Sequence, residues 1–125
     1  MEKHIVLPPG VDRDKINIAP GVTVGPVLFL SGSAGAKDGR LPGDDIESQA
    51  RQAMENLGIV LEAAGSSWDK VFKVNCYLTH ASRDFAGWNK VWKEYFPKDP
   101  PARTTVGASI AMAGALIEVE LIALV

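Results

Sequence analysis

The segment ALIEVELIALV, residues 115–125, constrains the fold more than any other part of the chain. If it is a β-strand, its side chains alternate between two faces, and the odd-numbered residues from 117 to 123 give one entirely apolar face. The other face carries two carboxylates among apolar side chains: Leu116, Glu118, Glu120, Ile122 and Leu124. Buried carboxylates are costly unless they are paired or used. The segment therefore predicts a strand covered on both sides, with the glutamates at or near a subunit interface.

The rest of the chain alternates strand patterns with two helical patterns. A helix that connects two strands can cross one face of a sheet, and right-handed crossovers would put both helices on the same face. The sequence thus predicts an α+β fold in one domain, residues 1–125, in which a mixed sheet has two helices on one face and an apolar opposite face. The predicted strands are 3–7, 21–24, 27–31, 70–78, 103–110 and 115–124; the predicted helices run from Asp44 or Asp45 to about 64 and from about 82 to 96.

Periodicity also assigns the inward-facing side chains of the middle elements. The residues of strand 70–78 that share one face are Phe72, Val74, Cys76 and Leu78. The apolar side of the second helix carries Phe85, Trp88, Trp92, Tyr95 and Phe96. Segment 32–43 is rich in small residues and is predicted as a loop, and Gly65 is predicted to end the first helix.

Composition excludes several classes of function. The 13 basic and 15 acidic residues give a net charge of −2, which weighs against nucleic acid as the main partner. No apolar run is long enough for a membrane span, and the N-terminus lacks a signal-peptide pattern. Cys76 is the one cysteine, and His4 and His80 stand apart, so we expect no disulfide and no metal site. A cytoplasmic location is the expectation.

Arg103 stands at the head of an apolar strand, among small residues that leave room beside its guanidinium. The planar guanidinium can bind a carboxylate through two parallel hydrogen bonds, which lysine cannot do. The alternative interpretation is a solvated arginine at a strand start. For Glu118 the alternative is an ion pair with a neighbouring base, and for Ser31 and Gly32 an ordinary strand terminus.

Four segments together resemble one protein family. They are LFLSG at 28–32, FAGWN at 85–89, PPARTTV at 100–106 and LIEVELIA at 116–123. In this order and spacing they are similar to the Rid family (YjgF/YER057c/UK114), the reactive intermediate deaminases. The resemblance extends from about Val22 to the C-terminus.

The resemblance implies a chorismate-mutase-like α+β fold and a homotrimer whose sheets form an inner β-barrel, with three clefts between subunits. Family members of the deaminase type hydrolyse enamine or imine carboxylates to 2-keto acids and ammonia without a metal or organic cofactor. By matching positions, Arg103 would bind the substrate carboxylate and Glu118 would position the attacking water. The resemblance also implies that Ser31, Gly32 and Asn89 line the cleft and that the backbone of Thr105 contacts the ligand.

Two positions depart from the family pattern. Ile18 stands where many members have a tyrosine, and Thr105 stands where many have a cysteine. These differences suggest a divergent subfamily, for instance an aminomuconate-type deaminase. Two other functions stay open: a non-catalytic trimeric binder of small keto acids or carboxylates, and an endoribonuclease or translation inhibitor, which the acidic composition disfavours.

Overall fold

The computed structural model describes residues 1–125 and has one six-stranded sheet, in the order β1-β2-β3-β6-β4-β5. Strands β4 and β5 are parallel, and every other neighbouring pair is antiparallel. The sheet is therefore mixed, as predicted. The elements are β1 Lys3–Val6, β2 Gly21–Val24, β3 Val27–Ala34, α1 Ile46–Ala63, β4 Val71–Leu78, α2 Ala81–Tyr95, β5 Ala102–Gly107 and β6 Ile117–Leu124.

Local signals in the sequence account for both ends of α1. The Asp45 carboxylate accepts hydrogen bonds from the Ser48 backbone N–H at 2.9 Å and from the Ser48 hydroxyl at 2.7 Å. These bonds, the hydroxyl's first, lower the pKa of Asp45 and satisfy a backbone N–H of the first turn. Gly65 follows the helix with a φ of +75°, and Ser66 N–H donates to Leu61 O at 2.9 Å. The predicted cap and stop are both confirmed.

The hydrophobic core lies between the two helices and one face of the sheet. Helix α1 contacts β3 and β6, and α2 contacts β4 and α1. The four odd-numbered residues of β6 that were predicted to face the helices are all buried: Ile117, Val119, Leu121 and Ala123. The prediction of two helices on one face is therefore confirmed.

The opposite face of the sheet has no cover within the chain. Phe29 lies opposite Ile122 in the pairing of β3 with β6, and Phe29 is 47% exposed. Val106 and Leu124 on the same face are also exposed. Large exposed apolar side chains on an uncovered sheet face are typical of an interaction surface.

Two bulges shift the side chains relative to the predicted alternation. Strand β3 continues to Ala34 across an irregularity between Leu30 and Ser33, because β6 pairs with it on both sides of the break. The prediction that the loop begins at Gly32 was therefore wrong for its first residues. A second irregularity, between Val71 and Lys73, turns Phe72 outward, so Phe72 does not share the buried face of Val74.

Helix α2 buries most of its predicted apolar side, with one exception. Trp88, Trp92 and Phe96 are buried, but Phe85 is 44% exposed and lies beside Arg103.

Strands β5 and β6 are shorter than predicted, and residues 108–116 connect them. The buried Gln49 side chain holds this connection, because its amide nitrogen donates to Gly114 O at 3.2 Å and its oxygen accepts from Leu116 N–H at 2.8 Å.

Candidate active site

The bulge in β3 places the backbone of Gly32 directly against Glu118. A Cβ atom added to Gly32 would lie 2.6 Å from Oε2 of Glu118, well inside van der Waals contact. Ala34 lies opposite Glu118 in the register between β3 and β6. The bulge therefore creates room for this carboxylate, and only glycine fits at position 32 without moving it.

Ser31 anchors the segment that precedes β2. Its hydroxyl donates to Ala19 O at 2.6 Å, and its backbone N–H donates to Pro20 O at 3.1 Å. Ile18, at the position where the resemblance would put a tyrosine, is 71% exposed just before this anchor. Ser31 thus holds the chain near Gly32 and Glu118, although its hydroxyl is already engaged.

A cavity of about 430 Å³ borders Glu118 on the uncovered face of the sheet. The Tyr77 hydroxyl donates to Oε1 of Glu120 at 2.5 Å, and this bond is the main reason why the pKa of Tyr77 is raised. Glu118 makes no side-chain hydrogen bond and no ion pair. Of the two carboxylates, Glu118 is therefore the one free to bind a ligand or water. The cavity is lined by Tyr77, Ala108, Ser109, Ile110, Ala111, Glu118 and Glu120.

Arg103 lies on the other face of the sheet, against α2. Its Cζ is 4.8 Å from the centroid of the Trp92 ring and 5.5 Å from that of Phe85. At these distances the ring faces attract the cation. The half-buried guanidinium makes no hydrogen bond and no ion pair in the chain. Its N–H donors are therefore available to an anion.

Asn89 lies on α2, between Phe85 and Trp92 in the sequence. It is four residues after Phe85 and three before Trp92, so all three share one helix face. Thr105 follows Arg103 by two residues and points to the same side of β5. Because β5 is an edge strand, its outward backbone groups have no partner strand, which agrees with a backbone role for Thr105.

Cys76 lies opposite Thr105 in β4 and is fully buried. Burial, only partly offset by the nearby Thr105 hydroxyl, raises the pKa of the thiol to about 11. The thiol is therefore protonated at neutral pH and unreactive as a nucleophile. This agrees with the sequence interpretation of Cys76 as a small packing residue.

The predicted site residues form two groups that one chain does not bring together. Glu118 lies opposite Tyr77 on the uncovered face, whereas Arg103 lies opposite the buried Val74 on the helix face. Strand β4 separates them, so they are two strand spacings, about 10 Å, apart across the sheet as well as on opposite faces. The first group is Ser31, Gly32 and Glu118; the second is Asn89, Arg103 and Thr105.

Three residues that lie beside these two groups were not recognised as site residues in the sequence. Tyr77 lies on the same face of the sheet as Glu118. Only the register between β4 and β6 shows this, and the sequence does not give that register. Phe85 and Trp92 were assigned to the core by helical periodicity, yet both contact Arg103. The helix pattern could not distinguish a ring that packs on a cation from one that packs on other apolar groups.

The fold has no group of three or more histidine, cysteine, aspartate or glutamate side chains placed to bind a metal ion. Neither helix is both long enough and apolar enough to cross a bilayer. A cofactor-free reaction and a cytoplasmic location stay predictions.

Comparison with known proteins identifies relatives of this chain. Residues 17–125 match the model of the family described as Endoribonuclease L-PSP. The mitochondrial protein mmf2 of Schizosaccharomyces pombe is 46% identical over 105 residues, 82% of each chain. A candidate regulator of Lactococcus lactis, AldR, is 36% identical over 105 residues, again 82% of each.

The similarity extends to solved structures. The Rid family protein YyfA of Yersinia pestis superposes with a TM-score of 0.88 at 30% identity, covering 99% of this chain and 100% of that one. A candidate endoribonuclease L-PSP of Entamoeba histolytica superposes with a TM-score of 0.89 at 35% identity, covering 99% of this chain and 100% of that one, so the two-helix, mixed-sheet architecture is that of a known L-PSP structure. With a family model that matches almost the whole chain and relatives of this similarity, the chain belongs to the Endoribonuclease L-PSP family, also called the Rid or YjgF/YER057c/UK114 family.

Proposed function

We propose that this protein hydrolyses small enamine or imine carboxylates to 2-keto acids and ammonia, in clefts between the subunits of a homotrimer. The observation that carries the proposal is a pair of unpartnered charges, the guanidinium of Arg103 and the carboxylate of Glu118. Both are partly buried, where an unpaired charge is costly. Each is suited to one part of the same substrate.

The trimer accounts for the separation of the two groups. In a closed ring of three, each contact is heterologous, so it joins two different surfaces of neighbouring subunits. The edge formed by β5 and α2 of one chain can then lie beside the uncovered face of the next. This arrangement would cover the apolar face, form an inner barrel from three sheets and bring Arg103 to the partner subunit's Glu118.

The proposed reaction needs one anchor and one proton acceptor. Arg103 binds the substrate carboxylate through two hydrogen bonds and so fixes the imine carbon. A water oxygen bonds to that carbon, the C=N electron pair moves to nitrogen, and the partner subunit's Glu118 accepts a proton from the water. Glu118 returns this proton to the nitrogen, the C–N bond breaks to release ammonia, and Glu118 passes the remaining hydroxyl proton to that ammonia as the carbonyl forms. Protonated imine and water thus give 2-keto acid and ammonium.

Two other functions have some support among the relatives. The name of AldR suggests a regulator, which fits a trimer that binds a keto acid through Arg103 without turnover. The family description names an endoribonuclease, but the net charge of −2 offers little attraction for RNA.

A coupled assay separates these functions. The protein is added to a pyridoxal-phosphate-dependent threonine dehydratase, and the decay of the released enamine/imine is followed together with keto-acid formation. Faster decay than in buffer, with Arg103→Lys inactive, is expected. Binding of 2-oxobutyrate without faster decay would favour the regulator, and cleavage of an RNA substrate that depends on Glu118 would favour the nuclease.

A further inference from the structure

We propose that Trp92, assisted by Phe85, positions Arg103 for carboxylate binding by holding the guanidinium against its ring. This inference rests on the proposed function, because it assigns Arg103 a carboxylate ligand. The observation behind it is that Arg103 has aromatic neighbours at 4.8 and 5.5 Å and no polar partner.

The choice of an aromatic support has a chemical consequence. An arginine is commonly fixed by a neighbouring Asp or Glu, but that carboxylate would occupy the same N–H donors that a substrate needs. A ring face attracts the cation through its quadrupole and uses none of those donors. Trp92 therefore removes conformational freedom from Arg103 while it leaves the guanidinium fork open to a ligand.

The Trp92 ring is itself held firmly. It packs edge-on against Trp88, with centroids 5.7 Å apart, and in a tilted contact against Phe96 at 4.5 Å. Phe96 in turn contacts Trp68 at 5.6 Å. The support for Arg103 is thus the end of an aromatic cluster that is continuous with the core.

The alternative is that Trp92 is a core residue whose contact with Arg103 has no effect on binding. The two roles differ in what a substitution changes. Because the carboxylate is bound both before and during the reaction, a loss of positioning should raise Kd and KM and leave kcat nearly unchanged. Loss of packing alone should lower thermal stability without a selective change in affinity.

The test measures the Kd of 2-oxobutyrate by calorimetry on the assembled protein, for Trp92→Leu, Trp92→Tyr and a matched control, Trp68→Leu. Trp68 belongs to the same aromatic cluster, at 5.0 Å from Tyr95, but does not contact Arg103. We expect Trp92→Leu to weaken binding by about threefold to thirtyfold. Trp92→Tyr should lose less affinity for 2-oxobutyrate than Trp92→Leu, because tyrosine retains a ring face. Trp68→Leu should bind 2-oxobutyrate as the parent does.

Arg103→Lys in the same assay separates failure of the inference from failure of the proposed function. If Arg103→Lys loses binding while Trp92→Leu keeps the parent Kd, the positioning role is wrong and the proposed site stands. If Arg103→Lys also binds normally, the carboxylate site itself is wrong. Should Trp92→Leu not fold, Phe85→Leu decides, because Phe85 also contacts Arg103 and is exposed: a Kd equal to the parent's, or equal losses in Phe85→Leu and Trp68→Leu, would overturn the inference.

Discussion

At the scale of single residues, the proposed site depends on two charges that have no partner in their own chain. Replacing Arg103 with lysine keeps the charge but removes the two-pronged geometry. One lost charge-assisted hydrogen bond is worth about 1.5–3 kcal/mol, so the Kd of 2-oxobutyrate should rise roughly tenfold to a hundredfold. The variant should assemble as the parent does, which light scattering checks. Unchanged affinity would show that Arg103 is only a solvated strand-end residue.

The buried thiol gives a second prediction at this scale. Burial raises the pKa of Cys76 from 9.0 to about 11, so folding favours the protonated thiol. This stabilisation of the folded state is fully present below about pH 9 and is lost as the pH rises through about 11. Over that range the thiol ionises in the unfolded chain but stays protonated in the folded one, so the unfolded state becomes relatively more stable. The free energy of unfolding should fall by about 2–3 kcal/mol more for the parent than for Cys76→Ala between these limits. Parallel pH profiles would contradict this account.

At the scale of elements, the bulge in β3 is the feature that shapes the Glu118 half of the site. Gly32→Ala would place a methyl group 2.6 Å from Oε2 of Glu118 and must displace that carboxylate. Turnover of the imine should therefore fall at least tenfold, while the melting temperature changes little, because the end of a glutamate side chain can move. Gly107→Ala is the matched control, since its nearest contact would be an ordinary 3.4 Å from Ala81 Cβ. Equal activity in both variants would be evidence against a role for the bulge.

The bulges in β3 and β4 were not predicted from the sequence, whereas the alternation of β6 was. The alternation of β6 was correct because a regular strand has a period of two and its buried face is entirely apolar. The positions of Gly32 and Phe72 were not predictable, because a bulge depends on pairing with β6, a strand that is distant in sequence. For the same reason, local patterns identified Arg103 and Glu118 individually but did not predict how they are separated in the folded chain.

At the scale of the whole molecule, the uncovered sheet face predicts self-association. Three chains of 13.4 kDa would give a particle of roughly 40 kDa by light scattering at micromolar concentration. Phe29→Glu should dissociate it, because the charge would be buried against a neighbouring subunit. The matched control is Ile59→Glu on α1, since Ile59 is 48% exposed and Phe29 47%. A stable monomer for the parent protein would remove the basis of the shared cleft.

The central claim is that Arg103 of one subunit and the partner subunit's Glu118 act on one substrate, and a mixing experiment tests it most directly. Arg103→Lys and Glu118→Gln are each expected to lose most of their activity alone when the substrate concentration is near the parent's KM. When the two variants are unfolded and refolded together at equal concentrations, about a quarter of the clefts should combine two unaltered residues. The account predicts recovery of about a quarter of the parent's imine hydrolysis, with no increase when either variant is refolded alone. No recovery in mixed trimers would contradict a site shared between subunits.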